Sequence, residues 1–150
     1  MAEKKNDVKK LFLETLEKLG CPYTLDEEDD AISFDFQGER FVAWLKDDYY
    51  IEIWDFHWMD HELYDIDNIS RLKKVINDAN MICGVTTVYT IDKASSCFGI
   101  HCTSTIVFIS QIPNIEGYLK ANLLQYFDTH RYITLEVGKL KQEEERNQSE

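Results

Sequence analysis

The sequence predicts an α+β fold, a five-stranded antiparallel sheet with helices in the order α-β-β-β-α-β-β-α. Three stretches space their apolar residues three and four apart, the period of a helix with one buried face. Residues 31–53 and 86–109 instead alternate in polarity or run rich in β-branched and aromatic residues, as strands do. Clusters of Gly, Pro, Asn and Asp, the residues that turn a chain, separate these stretches.

The first stripe is Val8, Leu11, Phe12, Thr15, Leu16 and Leu19, with Asp7 placed to cap it. Gly20 and Pro22 stop this helix, because glycine takes the left-handed exit and proline cannot continue the ladder. Five adjacent carboxylates, Asp26 to Asp30, resist packing and read as a solvated connector. Ile32, Phe34 and Phe36 then alternate with Ser33 and Asp35. A turn at Gln37, Gly38 and Glu39 leads to Phe41, Ala43 and Leu45, alternating with Val42 and Trp44, and Asp47-Asp48 turns the chain into Tyr49, Ile51 and Ile53. The result is a three-stranded meander.

Asp65, Asp67 and Asn68 offer cap oxygens to a second helix that buries Ile69, Leu72, Val75, Ile76 and Ala79 and closes at Gly84. Thr86 to Ile91 and Phe98 to Ile109 form a hairpin around residues 92–96. Pro113 and Asn114 start the last helix, through Ile115, Leu119, Leu123, Tyr126 and Phe127. One domain is expected over residues 1–138, with 139–150 a polar, frayed tail.

Charge narrows the function. Asp26 to Asp67 holds fifteen carboxylates against Arg40 and Lys46, so the whole net charge of −12 arises there. Such a field repels phosphate backbones, which disfavours nucleic acid and suits a basic partner, although an acidic surface also serves solubility alone. Met1 to Lys10 is too charged for a signal peptide, and no apolar run approaches a membrane span. Cys21, Cys83, Cys97 and Cys102 show no CxxC spacing and too low a density for a secreted disulfide scaffold, which points to a reducing cytoplasm.

The element order, a meander between the first two helices and a hairpin before the third, resembles the type III secretion chaperone-like fold, shared by secretion chaperones and the YbjN-like family. The resemblance spans about Val8 to His130 and rests on element order, length and acidity. It implies a protein that binds other polypeptides, often as a homodimer, without catalysis. Nothing in the chain marks a secretion-system context.

Residues 49–58 read YYIEIWDFHW, and alternation puts Tyr50, Glu52, Trp54, Phe56 and Trp58 on the face opposite Tyr49, Ile51 and Ile53. Three helices scarcely cover both faces of a five-stranded sheet, so Trp44, Tyr50, Trp54, Phe56 and Trp58 are the candidate partner-binding residues. A bulge would instead turn Phe56 and Trp58 into the core. His57 and His61, with Asp55, Asp60 and Glu62 nearby, are the one cluster suggesting a metal-dependent or small-molecule enzyme, but the HExxH zinc motif needs glutamate where Trp58 stands. Cys97, His101 and Cys102 invite a Cys-His nucleophile, yet alternation sends positions 101 and 102 to opposite faces and leaves Cys102 in the core. The expectation is therefore a non-enzymatic, cytoplasmic protein-binding module without catalytic residues, metal or cofactor. It takes a polypeptide partner, neither nucleic acid nor membrane, and forms a homodimer. Alternatives are an enzyme centred on His57 and His61, or a homodimer with no external ligand.

Overall fold

Tyr23, Thr24 and Leu25 follow directly on Pro22 and form a strand that three residues are too few to announce by period. In the computed structural model, which describes residues 2–149 and side chains from Asp7 onward, nine elements follow one another. These are α1 (Ala2–Lys18), β1 (Tyr23–Leu25), β2 (Ile32–Phe36), β3 (Glu39–Leu45), β4 (Tyr50–Glu62), α2 (Ile66–Ile82), β5 (Thr86–Asp92), β6 (Cys97–Val107) and α3 (Ile115–Ser149). The antiparallel sheet has six strands, in the order β1-β2-β3-β4-β6-β5, which corrects the expected five strands and places four, not three, between the first two helices. The added strand owes its existence to its partner: Tyr23, Thr24 and Leu25 pair with Phe34, Ser33 and Ile32 of β2 at the sheet edge. Pairing of this kind is invisible to a pattern read along one segment.

The chain divides into two compact units, Met1–Phe56 with Thr103–Leu124, and His57–Cys102 with Gln125–Glu150. In the first, α1 ends where Gly20, at φ +74°, donates to the Glu17 carbonyl and Cys21 donates to that of Leu16. This pair of bonds satisfies the last helical carbonyls and needs the left-handed residue that glycine supplies. β2 and β3 join through Gln37 and Gly38, both at positive φ, the two-residue turn that matches strand twist. The register sets Phe34 opposite Phe41 and Ile32 opposite Ala43, so these strands bury one face. Phe12 of α1 lies on that face, edge-on to Phe34 at 5.7 Å and to Phe108 at 5.3 Å. Leu16, Ile51, Ile53, Leu119 and Leu123 complete this core.

In the second unit Asp65 caps α2 by accepting from the Asn68 amide. The helix buries Leu72, Val75, Ile76 and Ala79 against Phe98 and Ile100 of β6 and Ile133 of α3. Asn80 then takes the place of a strand neighbour for Thr87: its Oδ1 accepts from the Thr87 amide at 2.7 Å and its Nδ2 donates to the Thr87 carbonyl at 3.0 Å. α3 continues through the stretch read as a frayed tail. Gly138 has open space around it, the residues after it are strong helix formers, and Glu144 accepts from Arg71 of α2 at 2.6 Å. Among the described residues no helix is long and apolar enough to cross a membrane.

Candidate functional site

Within the first unit, β3 and β4 pair with Val42 opposite Trp54 and Trp44 opposite Glu52. Alternation in β4 holds from Tyr50 to Phe56, with Ile51, Ile53 and Asp55 buried and Tyr50, Glu52, Trp54 and Phe56 on the other face. Trp54 stacks on Phe56 with centroids 5.0 Å apart and rings within 2° of parallel, and Trp44 meets Phe56 edge-on at 6.1 Å. Tyr50 and Phe56 are each 40% exposed, whereas Trp44 and Trp54 are half-buried. Four of the five residues expected to bind a partner thus share one face, with Phe56 in ring contact with both Trp44 and Trp54.

Glu52, on the same face, holds Trp54 of this platform in place. Its Oε1 accepts from the Trp54 indole at 2.5 Å and its Oε2 from Lys46 at 3.0 Å, and these bonds hold the carboxyl below its ordinary value, the indole contributing most. Arg40 is likewise bound to Asp35, at 2.5 Å. The only two cations of the acidic stretch are therefore both engaged by carboxylates of the same face. The remaining carboxylates of the stretch include Asp47 and Asp48, in the turn before β4, and the run from Asp26 to Asp30, of which Asp30 pairs with Lys9 of α1 at 2.8 Å. Asp47 also orders the turn before β4, accepting from the amides of Tyr49 and Tyr50.

Trp58 leaves the partner face and follows the bulge alternative. His57 adopts φ +52°, and Phe56 and His57 are both exposed, which breaks the alternation as a bulge does. Trp58 consequently packs on the core cluster of the second unit and stacks on His130 at 4.1 Å. Phe56 stays with the platform, so the bulge redirects one of the two aromatics it could have moved.

The same bulge gathers polar groups within the second unit. The His57 amide donates to His101 Nδ1 at 2.8 Å, and His101 Nε2 lies 2.7 Å from Thr90 Oγ1. His57 Nδ1 lies 2.7 Å from Asp60 Oδ1, and the Cys97 thiol lies within 4.8 Å of both. Burial raises the Cys97 thiol above its ordinary value, with the charges of Asp60, Asp92 and Glu62 acting in the same direction. A nucleophilic thiol needs a lowered value, and the Cys97 thiol is raised instead. His101 and Cys102 are both buried, and Cys102 Sγ lies 3.5 Å from Thr87 Oγ1. His61 does not join His57: its Nδ1 lies 3.2 Å from Asn68 Nδ2. Asp55, which the sequence sets beside this cluster, is fully buried in the first unit. The meeting of Asp60 with Cys97, 37 positions apart, leaves no trace in local spacing; Gly99, a glycine inside a strand, is its one sequence sign.

No protein-family model matches the chain, and no curated protein matches it. Among solved structures, the crystal structure of an uncharacterized protein from Methanothermobacter thermautotrophicus is similar, with a TM-score of 0.59, 11% identity, and coverage of 88% of this chain and 97% of that one. At that identity the likeness is one of fold.

Proposed function

We propose that the chain is a cytoplasmic, non-enzymatic polypeptide-binding module, chaperone-like or regulatory, which holds a basic segment of its partner on the face of Trp44, Tyr50, Trp54 and Phe56. The observation that carries this reading is the ordered, partly exposed Trp54–Phe56 stack with Trp44 against it. Rigid aromatics offer large contact area at little entropic cost and are the usual anchors of binding surfaces. The acidic stretch supplies the partner's chemistry, with Asp47 and Asp48 in the turn before β4 next to this face, since cationic side chains complement carboxylates and are steered toward them. The resemblance to type III secretion chaperone-like proteins supports the same class of function, and a homodimer is part of the proposal.

The test is a titration of peptides carrying Lys and Arg beside Leu and Phe, followed by tryptophan fluorescence and paired with light scattering for oligomeric state. Binding weakened about tenfold or more by Trp54→Ala with Phe56→Ala, and weakened again by salt, is the expected result. Equal binding by the double variant would overturn it. A dimer whose tryptophans are shielded from a neutral quencher, and which the double variant converts to a monomer, would assign the face to a second copy instead.

A further inference from the structure

We propose that His57, Asp60 and Cys97 form a binding site for one zinc-class divalent cation, joining β4 to β6. An imidazole nitrogen, a carboxylate oxygen and a thiol sulfur are the three ligand types that zinc accepts, and these ligand atoms all lie within 4.8 Å of one another. Tetrahedral zinc with ordinary bond lengths sets donors about 3.3–3.7 Å apart, a spacing of the same order as that of this set, in which His57 Nδ1 and Asp60 Oδ1 lie 2.7 Å apart. Sulfur and nitrogen donors favour zinc over magnesium or calcium, which take oxygen. Three protein ligands leave the fourth position to water.

Two further observations indicate a prepared place. His57 holds a left-handed backbone conformation fixed by its amide bond to His101, which aims its ring toward Asp60. Gly99 stands opposite: a Cβ there would lie 2.6 Å from His57 Cε1, 2.7 Å from Nδ1 and 3.2 Å from Asp60 Oδ1. Glycine weakens a strand interior, and here it leaves the recess that this pair occupies. The side chains of His57 and Asp60 are 52% and 47% exposed, so an ion reaches them from solvent. On binding, the Cys97 thiol gives its proton to buffer as the sulfur–metal bond forms.

The test uses the reduced full-length protein and cobalt(II) as a spectroscopic probe, displaced by zinc. One equivalent should produce a near-ultraviolet thiolate-to-cobalt band with visible absorption of tetrahedral intensity. Cys97→Ser, a near-isosteric change, should abolish the band. Asp60→Asn, His57→Gln and Gly99→Ala should each weaken binding about tenfold or more, Gly99→Ala because it keeps every donor and displaces the imidazole. His61→Gln and Cys83→Ser should leave the titration unchanged. Zinc should also raise the melting temperature of the unaltered protein and not that of Cys97→Ser. Absence of a saturable band, or an equal band in Cys97→Ser, would overturn the proposal.

Discussion

His101 stands where a strand neighbour would, accepting the His57 amide on Nδ1 at 2.8 Å. With Nδ1 an acceptor, the ring proton sits on Nε2 and is donated to Thr90 Oγ1 at 2.7 Å, so one buried imidazole satisfies groups on two strands. His101→Phe keeps the volume and removes both partners. The expected cost is about 1–3 kcal/mol, the penalty for orphaned polar groups, read from urea unfolding. A midpoint equal to that of the unaltered protein would show that water replaces the ring.

Phe12 and Phe56 should respond very differently to truncation. Phe12 is fully buried between Phe34 and Phe108, so Phe12→Ala should cost about 3–5 kcal/mol. Phe56 is 40% exposed and loses chiefly its stack on Trp54, so Phe56→Ala should cost about 1 kcal/mol. Chemical denaturation of the two variants side by side measures the contrast.

Glu52 gives a pH dependence of definite sign. Hydrogen bonds from Trp54 first and Lys46 second hold its carboxyl below the ordinary 4.5. A depressed carboxyl stabilises the fold fully above its unfolded value, and that contribution is lost as pH falls through the folded value. Melting temperatures from about pH 6 down to about pH 3 should therefore fall less steeply for Glu52→Gln than for the unaltered protein. The difference should be small because Lys46 is largely exposed. Parallel curves would remove Glu52 from the acid response.

Asn80 carries both backbone groups of Thr87, a residue only 2% exposed. Asn80→Leu should cost about 1–3 kcal/mol and speed hydrogen exchange at the Thr87 amide. Asn80→Asp retains the acceptor for that amide and loses the donor, so it should fall between. Exchange at Thr87 unchanged in Asn80→Leu would contradict the clamp.

The sequence made the helices legible because each carries a single apolar stripe, as Leu72, Val75, Ile76 and Ala79 show by their burial. The two-sided character of residues 50–56 was equally readable, since alternation needs only neighbours. Tyr23–Leu25 was not, because a strand of three residues is defined by what it pairs with. The reach of α3 to Ser149 depends on helix propensity and on Arg71, 73 positions before Glu144. The bulge that the sequence allowed forms at His57, a residue type that tolerates the left-handed region, but which of Phe56 and Trp58 it would redirect depends on its exact position, which alternation does not give. The meeting of His57 and Asp60 with Cys97 required knowing that β4 and β6 are neighbours.

The break at His57 also bears on how the chain avoids self-association while it folds. Residues 49–56, YYIEIWDF, combine high β propensity with large aromatics, and strands of that kind stack readily into fibrils when transiently uncovered. Asp47 and Asp48 guard one end of the segment and the left-handed His57 interrupts the other, so a flat ladder cannot extend through all thirteen residues of β4. Replacing His57 with valine, which resists positive φ, would favour a straight strand there. Refolding by dilution should then yield more light-scattering aggregate than the unaltered chain at equal concentration.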